Sequence, residues 1–310
     1  MMKFAFLFPG QGSQSVGMMQ GFGDLDVIRD TFTEASDVLG QDLWQMVTEA
    51  NDEINLTANT QPVMLTAGIA AWRAWQQAGG QQPALMAGHS LGEYTALVAA
   101  DAIDFAAALP LVRYRAEVMQ GAVAEGVGAM AAILGLDDDT VRAVCSEAAQ
   151  GEVLEAVNFN SPGQVVIAGN KAAVERGMEA AKAQGAKRAL ILPVSVPSHC
   201  ALMKPAAEKL KTYLQDVDVR APQVPVFHNA DVAAYNEAEK IKDALVRQLY
   251  SPVRWVETVA SMAEQGVALV AECGPGKVLA GLNKRIASDM TCLALTGSDA
   301  INEAKSLIEA

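Results

Sequence analysis

Residues 84–87 are short and apolar and run without a spacer into Gly88-His89-Ser90-Leu91-Gly92, after which residues 93–100 read as a helix. A buried strand that turns within five residues into a helix restricts the chain to an α/β layer architecture. The turn fits G-x-S-x-G, an elbow in which the serine sits on a tight bend with its hydroxyl exposed. Its glycines are needed because side chains there would strike neighbouring backbone. The helix that follows aims backbone N–H groups and the positive end of its dipole at the serine. Five-residue matches arise by chance, and the alternative is a bland Gly/Ser turn. The strand before and the helix after make Ser90 a candidate nucleophile.

The rest of the chain supports a mainly parallel sheet covered on both faces. Residues 4–8 read as a buried strand, stopped by Pro9-Gly10-Gln11-Gly12-Ser13-Gln14. Helical patterns follow at 27–39 and 66–77. From about residue 126 the rhythm changes: a strand at 128–136, a helix capped at Asp137-Asp138 and running to 150, and strands at 153–159 and 165–168 around Asn160-Ser161-Pro162-Gly163. A helix at 171–184 and a strand at 187–192 complete the order β-α-β-β-α-β, which is ferredoxin-like. The expected organisation is a discontinuous larger domain, 1–125 and 198–310, with a small domain, 126–197, inserted in it. In the returning part a helix is expected at 201–214 and strands at 224–228 and 267–272, before Cys273-Gly274-Pro275-Gly276.

A serine at its ordinary pKa needs a base, and the chain has three histidines. His89 lies inside the elbow, pointing away from Ser90, and reads as structural. His228 ends a buried strand and reads as a satisfied core histidine. His199, in Val196-Pro197-Ser198-His199, stands in a loop where the two domains meet, a common place for a site; by elimination it is the base. Cys200 could be a thiol nucleophile, but nothing near it in sequence would lower its pKa. The developing oxyanion needs preorganised donors: the N–H of Leu91, and one from another loop. Gly10-Gln11-Gly12 can supply the second. That stretch is not a dinucleotide fingerprint, since Ser13-Gln14-Ser15 follows where x-x-Gly is required. Gly274-Pro275-Gly276-Lys277 likewise lacks the rest of a phosphate-binding loop and reads as a turn before a helix. Arg115 lies one helical turn from Met119 in the apolar stretch 109–120. Such an arginine needs an anion, either an acidic side chain in a structural ion pair or a substrate carboxylate held by two parallel hydrogen bonds.

Composition narrows the function classes. The net charge is −13, which argues against nucleic acid and against an anionic membrane surface as partners, since both call for basic patches. Cys145, Cys200, Cys273 and Cys292 are widely separated, with no CxxC and no clustered histidines, so neither a metal site nor a disulfide framework is readable. The start, Met1-Met2-Lys3 followed by residues 4–8, is too short for a signal peptide and has no cleavage site. No stretch approaches the roughly 18 apolar residues of a membrane span. A reduced, cytoplasmic location is expected.

Several motifs in order resemble the malonyl-CoA:acyl-carrier-protein transacylases of fatty-acid synthesis, over nearly the whole chain. They are Phe8-Pro9-Gly10-Gln11-Gly12-Ser13-Gln14, Thr60-Gln61-Pro62, Gly88-His89-Ser90-Leu91-Gly92-Glu93, residues 115–119, Asn158-Phe159-Asn160-Ser161-Pro162-Gly163-Gln164, Val196-Pro197-Ser198-His199 and Gly274-Pro275-Gly276-Lys277. The resemblance implies an α/β-hydrolase-like core with a ferredoxin-like insertion. It implies Ser90 as nucleophile, His199 as base, Gln11 and Leu91 as oxyanion donors and Arg115 as receptor of the malonyl carboxylate. Gln248 would orient the histidine through a carbonyl, in place of the acidic partner that sequence reading cannot nominate. Gln61, Met119 and Asn160 are expected at the substrate pocket. The implied reaction is ping-pong transfer of malonyl from malonyl-CoA to the phosphopantetheine thiol of acyl carrier protein, with no metal or redox cofactor required. Because that carrier is expected to be acidic, a local basic patch is required; Lys284-Arg285 is the first choice and Lys187-Arg188 the second. Two positions depart from the family pattern. Pro110 should kink the Arg115 helix or mark its start, and His228 replaces a smaller polar residue. The rivals are a serine thioesterase, a polyketide-pathway acyltransferase and a non-catalytic carrier-binding module.

Overall fold

The computed structural model describes residues 2–194 and 196–310, so Met1 of the apolar start and Ser195 lie outside it. The chain opens with β1 (Phe4–Phe8), α1 (Asp26–Leu39), α2 (Leu43–Thr48), α3 (Thr57–Gln77), β2 (Leu85–Gly88), α4 (Gly92–Ala99) and α5 (Phe105–Gln120). A middle stretch holds β3 (Gly128–Leu134), α6 (Asp138–Ala149), β4 (Leu154–Ser161), β5 (Gln164–Asn170), α7 (Lys171–Ala183) and β6 (Arg188–Ile191). The last part holds α8 (Lys204–Leu214), β7 (Val226–His228), β8 (Ala233–Ala234), α9 (Ala238–Gln248) and α10 (Trp255–Glu264). It ends with β9 (Leu269–Cys273), α11 (Val278–Ile286), β10 (Thr291–Leu295) and α12 (Ser298–Glu309).

Six strands form one sheet in the order β10-β9-β1-β2-β7-β8, parallel except for the short β8. β1 can sit inside it because all five of its residues are apolar and buried. Its side chains alternate between faces. Phe6 meets Trp72 and Trp75 of α3 edge-on, with ring centroids 5.6 and 5.0 Å apart, contacts worth about 0.5–1.5 kcal/mol each beyond their buried area. Ala5 and Leu7 face the other side, among Trp255 and Val259 of α10 and Leu279 and Leu282 of α11.

The middle stretch forms a separate antiparallel sheet in the order β4-β5-β3-β6. Its α6 and α7 cover one face through Val141, Val144, Cys145 and Val174. The β-α-β-β-α-β order expected from the sequence is the order observed. Asp137 caps α6 as its residue type dictates, its carboxylate accepting the Thr140 N–H at 2.8 Å. A backbone splice ties this unit to the larger sheet's connections. The Val253 N–H donates to the Val157 carbonyl at 2.8 Å and the Phe159 N–H to the Val253 carbonyl at 3.0 Å, which covers the outer edge of β4.

Helix starts differ from expectation. α3 begins at Thr57, not at residue 66, and runs through Pro62. So near a helix start the proline ring deprives a single carbonyl, that of Ala58, of its partner. α5 begins at Phe105 with Pro110 inside it. Pro110 therefore does not mark the start of the Arg115 helix.

Candidate active site

Ser90 occupies the turn between β2 and α4, where expected, with φ of 52°. That left-handed conformation is costly for a side chain with a Cβ. The flanking glycines are dictated by contact: a Cβ on Gly88 would lie 1.8 Å from the Gly92 carbonyl carbon, and one on Gly92 would lie 2.0 Å from the Phe8 oxygen. The turn is held at both of Ser90's backbone groups. Its N–H donates to Asn229 Oδ1 at 2.7 Å, and its carbonyl accepts from Gln248 Nε2 at 2.9 Å.

His199 is buried, and its Nε2 lies 2.8 Å from Ser90 Oγ. Its Nδ1 lies 2.8 Å from the backbone carbonyl of Gln248 at the end of α9. A carbonyl only accepts, so Nδ1 carries the proton and Nε2 presents its lone pair to the serine. Burial, followed by the nearby Arg115 charge, pushes the imidazole pKa down to about 3. The ring is thus neutral across the physiological range, with the Nε2 lone pair unprotonated.

Arg115 projects from α5 into the same place despite Pro110. Its Nη1 donates to Gln61 Oε1 at 2.8 Å, and its Nη2 donates to Gln248 Oε1 at 2.9 Å and to Ser90 Oγ at 3.2 Å. Every one of these acceptors is neutral, and among the described residues Arg115 forms no ion pair. Tyr94 lies beneath the guanidinium, 5.3 Å from ring centroid to Cζ. Burial lowers the arginine's pKa, as expected of a cation whose partner is not an anion.

Gln11, Gln61, Leu91 and Met119 join Ser90, Arg115 and His199 around a cavity of about 140 Å³. The N–H groups of Gln11 and Leu91 make no hydrogen bond among the described residues, leaving two donors free beside the serine. Gln61 Nε2 reaches Met119 Sδ at 3.9 Å. Asn160 is the displaced member of the expected set. It lines a larger, adjoining groove of about 720 Å³ between the two sheets, and its Oδ1 lies 2.8 Å from His89 Nε2. His89 in turn borders both cavities, so it is not turned wholly away from the serine. His228 is buried as expected but only half satisfied: Nδ1 lies 2.7 Å from Glu93 Oε1, while Nε2 has no partner among the described residues. Lys284 and Arg285 are exposed in the last turn of α11, whose Val278, Leu279 and Leu282 line the groove. Arg285 Nη1 reaches Gln164 Oε1 at 3.3 Å. The thiols of Cys145 and Cys200 are pushed up to about 12 by burial, which makes neither a nucleophile. Sequence reading missed Glu93 and Asn229. The signal for Glu93 was present: an acid directly ahead of the mostly apolar run 94–100, in an α4 that the structure buries throughout.

A hydroxyl paired with a neutral imidazole, two free backbone donors and a buried cation are together the groups with which a serine could carry out acyl transfer. Residues 5–300 match the acyl transferase domain family. The malonyl CoA-acyl carrier protein transacylase of Escherichia coli K12 is 57% identical over 309 residues, covering 99% of this chain and all of its own. The solved acyl-carrier-protein S-malonyltransferase of Burkholderia pseudomallei 1710b is 62% identical with a TM-score of 0.97, covering 98% of this chain and all of its own. A malonyl-transacylase solved in complex with a type II PKS acyl-carrier protein is 54% identical with a TM-score of 0.97, covering 98% of this chain and 99% of its own. The chain belongs to the malonyl CoA-acyl carrier protein transacylase family.

Proposed function

We propose that this chain moves a malonyl group from malonyl-CoA to the phosphopantetheine thiol of acyl carrier protein through an acyl-enzyme on Ser90, supplying fatty-acid synthesis in the cytoplasm. His199 Nε2 takes the Ser90 proton as Oγ attacks the thioester carbonyl. The tetrahedral oxyanion rests on the N–H groups of Gln11 and Leu91, and His199 returns the proton to the departing coenzyme A sulfur. The carrier thiol then gives its proton to His199 and attacks the acyl-serine; as the acyl–oxygen bond breaks, His199 returns that proton to Ser90 Oγ, and the carrier leaves as the malonyl thioester. The Gln248 carbonyl keeps the imidazole in the productive tautomer throughout. The catalytic unit comprises residues 1–125 and 198–310, with 126–197 as the small domain.

The observation that carries this reading is a buried Arg115 that has no acidic partner among the described residues and lies 3.2 Å from Ser90 Oγ. A malonyl carboxylate would give its guanidinium the anion that the protein withholds. Gln61 and Met119 would bound the acyl group, Asn160 would meet the pantetheine arm in the wider groove, and Lys284 and Arg285 would meet the carrier. The relative solved with a type II PKS acyl-carrier protein supports a second reading that differs only in the carrier served.

Intact-protein mass spectrometry after exposure to malonyl-CoA tests the reading. A malonyl adduct is expected on the parent, none on Ser90→Ala, and transfer to added holo-carrier. An adduct that persists in Ser90→Ala would remove Ser90 as nucleophile. Free malonate with no loaded carrier would make the protein a thioesterase.

A further inference from the structure

Glu93 lies one residue into α4, is fully shielded from solvent and borders neither cavity of the site. Nothing in the transfer chemistry uses it. Its two oxygens nevertheless collect three contacts from two segments far from it in sequence. Oε1 lies 2.7 Å from His228 Nδ1, and Oε2 accepts the Asn229 backbone N–H at 2.8 Å and the Gln248 side-chain Nε2 at 2.9 Å.

Two of those contacts lead straight to the reacting groups. The Gln248 carboxamide has two N–H donors; one goes to Glu93, the other to the Ser90 carbonyl at 2.9 Å. Its oxygen is therefore compelled to face Arg115 Nη2, at 2.9 Å. Without an acceptor at Glu93 the carboxamide could rotate and present N–H groups to the guanidinium, which also only donates. Asn229 is fixed by its backbone N–H to Glu93, and its side chain then grips the elbow twice, accepting from Ser90 N at 2.7 Å and donating to the Gly88 carbonyl at 2.7 Å. The strained φ of Ser90 is thus clamped at N–H and at C=O by two amides that share one anchor.

We propose that Glu93 is a positioning residue for acyl transfer, orienting the Gln248 carboxamide and thereby aiming Arg115 at the acyl pocket beside Ser90. Gln248 also works as a neutral spacer. It lets an acid support the cation from one amide away and leaves the Arg115 charge unneutralised, whereas a carboxylate placed directly on Arg115 would hold its donors in an ion pair that a substrate carboxylate could not readily displace. This proposal rests on the reading of Arg115 as the malonyl receptor.

Two variants test it. Glu93→Met keeps about the length of the side chain but removes both acceptor oxygens. Gln248→Met removes the link to Arg115 and leaves the main-chain carbonyl that holds His199. Rates of acyl-enzyme formation from malonyl-CoA and from acetyl-CoA, which lacks the carboxylate, are measured on the folded fraction along with the melting temperature. The malonyl-to-acetyl ratio is expected to fall about tenfold or more in both, the size of one lost charge-assisted contact. A purely structural Glu93 would lower the melting temperature and leave the ratio alone. A ratio that falls by less than that in either folded variant overturns the proposal, and Gln248→Met decides alone if Glu93→Met does not fold. A parent protein that forms neither acyl-enzyme overturns the reading beneath it, and the proposal with it.

Discussion

At the scale of single residues the site is a set of donors and acceptors whose directions are forced. Among the described residues the acceptors of Arg115 are all neutral oxygens, so Arg115→Ala should cost selectivity more than stability. Malonyl transfer should fall by about ten- to a hundredfold, the equivalent of roughly 1.5–3 kcal/mol, while acetyl transfer rises relative to it. Equal losses for both acyl groups, read from initial rates, would make Arg115 a structural residue. His199 makes a prediction about pH. Its folded pKa is depressed to about 3, below the value near 6.5 of an unfolded histidine. Below pH 6.5 the unfolded chain takes up a proton that the native ring refuses, so the native state loses stability as pH falls toward 3. The sensitivity is about 1.4 kcal/mol per pH unit for one such group. Denaturant midpoints of the parent and of His199→Gln, compared at pH 7 and pH 5, should diverge in that direction; parallel pH curves would contradict it. Ser90, His199 and Arg115 were each legible because a motif, an elimination or an isolated charge singled them out. Asn229 and the Gln248 carboxamide were not, because their work lies in contacts between segments far apart in sequence.

At the scale of elements, sequence patterns located what periodicity governs and erred where backbone chemistry is tolerant. The small sheet's strands and its two helices were legible because alternation and capping are local. The true starts of α3 and α5 were not: the helical pattern is readable only from residue 66, after Pro62, and Pro110 is expected to kink its helix or mark its start, yet both prolines lie inside helices. β10, a short edge strand that pairs only with β9, was likewise missed. The elbow is the least tolerant element. A methyl on Gly92 meets the Phe8 carbonyl oxygen at 2.0 Å, and backbone on both sides prevents relief. Gly92→Ala should therefore destabilise by more than the roughly 1 kcal/mol typical of point changes, into the range of about 3 kcal/mol or more associated with overpacking and strain. Thermal unfolding of purified variant against parent measures it, and an unchanged midpoint would mean that β1 and α4 can separate without cost.

At the scale of the whole molecule, a net charge of −13 repels an acidic carrier, so productive docking must be local. Lys284 and Arg285 stand on the helix that lines the wider groove, and Arg285 reaches across to Gln164 of β5. Replacing both by Glu should weaken carrier-dependent transfer at low salt and flatten its salt dependence. Acylation of Ser90 by malonyl-CoA should stay near the parental rate. Unaltered carrier kinetics in titrations at low salt would remove this pair from the docking surface.

The order of strands in the larger sheet also governs how the chain is born. β1 lies between β2 and β9, and Phe4 pairs with Leu269. A ribosome emitting the N-terminus first, at about 5–20 residues per second, leaves one edge of this apolar strand without its mate for on the order of ten to fifty seconds. The small sheet, complete by residue 191, can form meanwhile from neighbours close in sequence. The nascent protein can therefore hold a finished small sheet while its larger sheet still waits for a strand, and over that interval the apolar Phe4–Phe8 has an unpaired edge.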